Sequence, residues 1–320
     1  MNNYKNTNLK KRLKGSVILI LEIIFILYIF KERKKLEKTK ICICTIGKEE
    51  NRYVREWVEH YEKYGVDKIY LYDNNDLNGE HFESVIDDYV QKKFIKILNW
   101  RGKRKFIYKA MNDCYNKNSH YYDWLIFYEL DEFIHLHNHE SIKEFLNKKK
   151  FDKCEIVYLN LLVHNDNNQL FYQNLSLFER FPNIVPMSVE KNLQVKMIIK
   201  GGINNLKIKT TAESYLTNKR KVLKTCDRLG KFMVPKEFST NNTDYKFYYV
   251  DHFFCKSTEE FTNKLNRGDT LMTGKNLYIY KLSRIKRYFK YNNFTSEKIK
   301  MMEKLLKIKS SEIIKWIKKK

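Results

Sequence analysis

WLIFYELDEFI, residues 124–134, is the stretch whose reading decides the fold. Its first half, Trp124 to Tyr128, is an unbroken run of aromatic and branched side chains, the composition of a strand buried on both faces. Its second half carries Glu129, Asp131 and Glu132. Unpaired charge is too costly to bury, so the strand must end here, where the acids meet water, a cation or a ligand. In open α/β sheets ligands bind outside the carboxyl ends of the strands. Glu129 and Asp131 are two apart, which in extended chain points them the same way. Two carboxylates converging on one point suit a hard divalent cation, Mn²⁺ or Mg²⁺, which can in turn hold phosphates. A strand end with solvated acids is the plainer alternative.

Upstream, strand-like and helix-like segments alternate. Residues 40–46 read as a strand, and 51–64 as a helix with Tyr53, Val54, Trp57, Val58 and Tyr61 at helical spacing. Strands at 68–72 and 94–98 alternate with helices at 81–90 and 105–115, and the 124–129 strand follows. Ser141 and Glu144 form a capping-box pattern that opens a helix over 141–149. This order predicts an α/β fold with a doubly wound, mostly parallel sheet flanked by helices. A second part beginning near residues 155–163 is less regular, richer in Asn and expected to be more antiparallel.

The ends differ from the middle. Residues 1–16 are a basic tail, and VILILEIIFILYIF (17–30) is the most apolar run, followed by a charged stalk at 31–39. The run falls just short of the ~17–25 residues that cross a bilayer and contains Glu22. With no small-residue cleavage site behind it, it is expected to be an uncleaved, single-pass N-terminal membrane anchor, an exposed core helix being the alternative. A domain over 40–280 and a basic helical extension over 281–320 complete the expected organisation. The last part of that extension either packs on the domain or lies along an anionic membrane surface.

Hydrophobic residues make up 43% of the 320 and aromatics 15%, enough for a core and against wholesale disorder. With 3 Pro and 10 Gly there is little material for a flexible linker. The net charge of +24 favours anionic surroundings, but no zinc-finger spacing, RNP motif or basic zipper points to a nucleic-acid partner. Six scattered cysteines form no Cys-x-x-Cys pair and read as buried thiols, with one or two disulfides as the alternative. His135, His137 and His139 alternate as a zinc site would want, but no clean fourth ligand follows. Gly-x-Gly-x-x-Gly, Walker and Gly-x-Ser-x-Gly signatures are missing, which argues against dinucleotide dehydrogenases, P-loop NTPases and α/β-hydrolases.

The segments ICTIGKEENRYVREWVEHYEKYGVDKIYLYDN (43–74), AMNDCY (110–115), WLIFYELDEFI (124–134), LFERF (177–181), VKMIIKG (195–201) and DHFFCKSTEEFTNKLNRGD (251–269) together resemble glycosyltransferase family 92 and its bacterial relatives. The resemblance covers roughly residues 40–270, in order. It implies a GT-A fold and transfer of a sugar from a nucleotide-sugar donor, a UDP-sugar above all, to a glycan acceptor with the help of Mn²⁺ or Mg²⁺. Carried over, it implies that Thr45, Glu49, Asp73 and Asn74 border the nucleotide. Asp131 would be the principal metal carboxylate and Glu129 its partner towards ribose or metal, although the family's usual first Asp is Glu129 here. His252 would be a late metal ligand, with Asp251 orienting it or binding independently. Lys256 and Arg267 would face the diphosphate, though solvated helix charges are the plainer reading. Asp166, in a loop after the next strand-like run, is the candidate base, against a polar-turn Asp. The expected activity is transfer of a hexose, such as galactose, with inversion. A non-catalytic carbohydrate-binding or scaffold protein, a nucleotidyltransferase and a basic nucleic-acid-associated protein are the rivals.

Overall fold

The computed structural model describes residues 2–102, 107–185, 194–211, 213–217, 222–233, 247–268 and 274–319. The elements run in chain order as α1 (Asn2–Lys38), β1 (Ile41–Gly47), α2 (Asn51–Lys63), β2 (Lys68–Asp73), α3 (Glu83–Gln91), β3 (Ile95–Asn99), α4 (Ile107–Asn118), β4 (Trp124–Ile126), β5 (Glu132–His135), α5 (Ile142–Leu146), β6 (Ile156–Val163), α6 (Leu177–Arg180), β7 (Val195–Lys200), β8 (Leu206–Thr210), β9 (Glu213–Leu216), β10 (Thr225–Cys226), β11 (Tyr249–His252), α7 (Thr258–Asn266), α8 (Gly274–Tyr291), α9 (Ser296–Leu306) and α10 (Ser310–Lys318). Of the expected segments, Lys105 and Asp269 lie outside the described residues.

Helix α1 forms a unit of its own. It is 37 residues long, but its apolar stretch of 14 residues spans only ~21 Å at the α-helical rise, against the ~30 Å of a bilayer core. Among the described residues no helix is long and apolar enough to cross a membrane. The expected N-terminal anchor over 17–30, and with it the membrane partner and the single-pass localisation, is corrected by that finding.

Residues 41–320 form the second unit. Its main sheet has the strand order β3-β2-β1-β4-β7-β6-β11-β5, with β10 added beside β6. The pairs β3–β2, β2–β1 and β1–β4 are parallel, as the strand–helix alternation predicts. From residue 155 onward the sheet becomes mixed, because β7 runs antiparallel to both β4 and β6, and β5 antiparallel to β11. Alternate residues of β1 explain the two-faced packing. Ile41 and Ile43 join the core formed with α2 and α3, whereas Cys42 and Cys44 face Ala110, Met111 and Cys114 of α4. A third apolar cluster joins Val163 and Phe254 to Leu282, Ile285, Met302 and Ile313. Helices α8 to α10 thus pack on the sheet-bearing unit.

Four of the six cysteines are paired, Cys44 with Cys114 and Cys154 with Cys226, so the buried-thiol expectation holds only for Cys42 and Cys255. Sequence spacing could not show this, since the bridged residues are 70 and 72 positions apart. Titration of the unreduced, denatured chain with a thiol reagent is expected to find the two free cysteines, and titration after reduction all six. Six before reduction would refute the bridges.

Candidate functional site

Strand order reverses between β1 and β4, and such switch points leave a crevice at the strands' carboxyl ends. β4 ends at Ile126 and the chain turns through Glu129–Glu132 into β5. The turn is closed by Glu132 N–H donating to the Glu129 carbonyl (3.1 Å), and by Glu129 N–H donating to the Glu132 carboxylate (3.0 Å). Helix α2 clamps it from behind: Trp57 Nε1 and Tyr61 OH each donate to the Glu132 carbonyl at 2.9 Å. From the other side Phe253 N–H donates to the Asp131 carbonyl. Gly47, at the end of β1, makes room. A Cβ there would lie 2.5 Å from Leu130 Cδ1 and 2.8 Å from Phe82 Cζ. Gly47→Ala is therefore expected to cost about 1–3 kcal/mol in urea unfolding; an unchanged midpoint would contradict the close approach.

In the antiparallel β5–β11 pair His252 stands opposite Glu132. Its Nε2 lies 3.8 Å from Asp131 and 3.9 Å from Glu132. One ligand atom from each of Asp131, Glu132 and His252 falls within 4.8 Å of the others, and all three residues are buried. Two carboxylates and an imidazole are the donor chemistry of a Mn²⁺ or Mg²⁺ site, and ligands on opposite sides of such an ion lie ~4 Å apart. The residues present fit such an ion. The structure thus groups Glu132 with Asp131 and His252, where the sequence reading has Glu129. Glu129 points instead into the adjoining cavity, with its side chain 42% exposed.

Lysines balance these acids. Lys264 of α7 donates to Asp131 Oδ2 at 2.6 Å, and Lys196 of β7 lies 2.7 Å from both Glu129 and Glu132. Burial would raise the Asp131 pKa, but Lys264, His252 and Lys256 outweigh it and hold the carboxyl well below the usual range. Lys196 draws Glu129 down to about 2. Glu132 is pushed up to about 7, chiefly by burial, and its acidic neighbours add to what Lys196 opposes. One ammonium facing two carboxylates favours ionisation of the more exposed one.

The Ser257–Glu260 capping box starts α7, and Glu260, Lys264 and Arg267 then recur at helical spacing along it. Arg267 donates to Glu50 Oε1 at 2.6 Å and Lys256 to Glu50 Oε2 at 3.1 Å. Glu50 is held ionised despite its burial by Lys256, Arg267 and Lys264. Cavities of about 490, 180 and 280 Å³ open around this cluster. Glu49, Lys256 and Arg267 line the first; Asn74, Glu129, Asp131 and Arg267 the second; Glu129, Glu132, Lys196 and His252 the third.

The other expected residues lie elsewhere. Thr45 is buried within β1 and lines none of these three cavities. Asp73 is buried, its carboxylate taken by Arg101 at 2.7 Å and by Asn75. Asp166 is a correction to the expected base. It is sealed against Lys298 at 2.6 Å, accepts from Tyr288 and Asn168, and lines none of these cavities. Asp251 does not orient His252, because successive strand residues face opposite ways. It pairs with His164 at 2.7 Å and faces His135 at 3.6 Å. His135 stacks on Tyr249, and His137–His139 form a 3-10 turn, so the alternating histidines do not share an extended face. Glu50, Lys196 and Lys264 were missed. A lone Lys inside the apolar VKMIIK strand was the one legible signal.

The sequence model described as glycosyltransferase family 92 matches residues 37–228. A family 92 protein of Ricinus communis is 24% identical over 129 residues, covering 39% of this chain and 22% of its own length. One of Arabidopsis thaliana is 27% identical over 120 residues, covering 35% and 19%. The chain spans about a fifth of the length of these curated relatives. Among solved structures, S. aureus TarS 1-349 in complex with UDP-GlcNAc aligns at a TM-score of 0.37 and 12% identity, over 87% of this chain and 82% of that one.

Proposed function

The chain belongs to glycosyltransferase family 92, and from that premise we propose a metal-dependent glycosyltransferase with a GT-A-type sheet. It transfers a hexose, such as galactose, from a UDP-sugar to a glycan hydroxyl, with inversion. The observation that carries this reading is the Asp131, Glu132 and His252 group at the β1/β4 switch point.

Those three residues would hold Mn²⁺ or Mg²⁺, whose chemistry there is neutralisation of the leaving diphosphate. Lys256, Lys264 and Arg267 line the adjoining cavities, where their charge opposes the negative charge that grows on the diphosphate as the anomeric carbon gains oxocarbenium character. Glu49 and Asn74 at the cavity walls are the nucleotide-facing pair, and Glu129 reaches towards the donor ribose. Inversion requires a carboxylate to take the acceptor's proton; with Glu132 assigned to the ion, Glu129 is the remaining acid among the described residues that line the cavity of Lys196 and His252.

The ion pairs Asp131–Lys264 and Glu132–Lys196 support a second reading. In it the lysines are permanent counter-ions of a non-catalytic carbohydrate-binding protein. UDP release from UDP-galactose, UDP-glucose and UDP-GlcNAc, with Mn²⁺ or with chelator, separates the two. Mn²⁺-dependent release from at least one donor is expected. Absence of release from all three, with no stabilisation by UDP and Mn²⁺, would favour the binding protein.

A further inference from the structure

Lys264 lines all three cavities around the acid turn, and its side chain is 24% exposed where that of Asp131 is 3%. The two oxygens of Asp131 face different partners. Oδ2 accepts from Lys264 at 2.6 Å, and Oδ1 faces His252 Nε2 at 3.8 Å. The ammonium therefore shares a carboxylate with the group of residues that fits a divalent ion. The neighbouring acids are paired as well, Glu129 and Glu132 with Lys196, and Glu50 with Lys256 and Arg267. A cation entering this balanced set by itself meets the charge of Lys264 across Asp131. Helix α7 does not shift as a body without parting Glu260 from Arg180 and Arg267 from Glu50. The flexible stem of Lys264 can swing alone, because its ammonium is a point charge with no planar fork to align.

Resting on the metal-dependent transferase reading, we propose that Lys264 is a tethered counter-ion that makes metal and nucleotide bind cooperatively. It holds Asp131 while the site is without ligands, and it turns to the diphosphate when metal and nucleotide arrive together. Metal alone drives the ammonium towards Glu50 and Glu129, which line a cavity with it but already share the charge of Lys256, Arg267 and Lys196. A diphosphate supplies a new anion for it instead. Each ligand therefore raises the affinity for the other, and by the same factor.

The test reads binding and needs no turnover. Free Mn²⁺ is followed by electron paramagnetic resonance during titration into the full chain, with and without UDP, and corrected for Mn²⁺ held by free UDP. UDP is titrated by calorimetry with and without Mn²⁺. In the wild type each ligand is expected to tighten the other roughly tenfold or more. Lys264→Met is expected to move two constants in opposite directions: Mn²⁺ alone binds roughly fivefold or more tighter, whereas UDP in the presence of Mn²⁺ binds more weakly. Lys264→Arg, which keeps the charge, should return Mn²⁺ alone to weak binding. The Met variant leaves Asp131 without this counter-ion, so its melting temperature should fall and then rise more on adding Mn²⁺ alone than that of the wild type. Mn²⁺ binding equally weak in the Met variant, or a coupling factor the substitution leaves unchanged, would overturn the role of Lys264 and spare the metal site. Mn²⁺ binding by neither protein, with or without UDP, would overturn the metal site and this inference with it.

Discussion

Asp131→Asn is expected to lower Mn²⁺-dependent UDP release by about 10²–10³-fold, the loss typical when one preorganised electrostatic group is removed from a reacting centre. The substitution keeps the shape of the side chain and its carbonyl-like acceptor. It removes the charge that faces both His252 at 3.8 Å and Lys264 at 2.6 Å. The backbone of the turn is held independently, through the Asp131 carbonyl and the Glu132 carbonyl, so the variant should remain folded and keep its near-UV circular dichroism. Rates at saturating donor, with Mn²⁺ varied, separate lost metal affinity from lost turnover. Undiminished release would remove Asp131 from the proposed mechanism.

Arg180→Ala is expected to destabilise the 41–320 unit by about 3–5 kcal/mol, because it strands a buried carboxylate. Arg180 and Glu260 have side chains 0% and 3% exposed, and Arg180 Nη1 lies 2.9 Å from Glu260 Oε1. Tyr53 OH donates to the same carboxylate. The pair locks α6 to α7, and through α7 it holds Lys264 and Arg267 over the site. Replacing both partners with Met should cost less than Arg180→Ala alone, since no charge is then left uncompensated. Burial alone would raise the Glu260 pKa, yet hydrogen bonds from Arg180, Ser257 and Tyr53 hold it at about 2, below its ordinary 4.5. A depressed carboxylate stabilises the fold fully above its unfolded pKa, and that stability fades as pH falls from about 4.5 towards 2. Urea midpoints between pH 6 and 3 should therefore fall in wild type, and less steeply in the double Met variant. Parallel curves would show that Glu260 does not titrate as argued.

The parallel half of the sheet was legible because its strands and helices follow their own periodicities. The Ile41/Cys42/Ile43/Cys44 alternation and the Trp57–Tyr61 stripe each have one packing solution. The acid turn was legible as well, since charge at the end of an apolar run must find an outlet. The grouping of its acids was not. Spacing suggested Glu129 with Asp131, but the turn folds Glu132 back beneath Glu129 and sets it opposite His252, a partner 120 residues away in sequence. The counter-cations were hidden for the same reason. Lys196 and Lys264 become site residues only when β7 and α7 close over the turn. Asp166 looked like a loop acid because its partner Lys298 sits in a C-terminal helix that seemed separable from the domain. The apolar run at 17–30 misled because its hydrophobicity was weighed above a shortfall in length that the sequence already shows.

The most direct test is a crystal of residues 41–320 soaked with UDP and Mn²⁺ and measured at the manganese absorption edge. The proposal predicts an anomalous peak bonded to Asp131, Glu132 and His252, with Lys264 displaced from Asp131 and the diphosphate beside Arg267. UDP bound without manganese at these residues, with the Asp131–Lys264 and Glu132–Lys196 pairs intact, would contradict it.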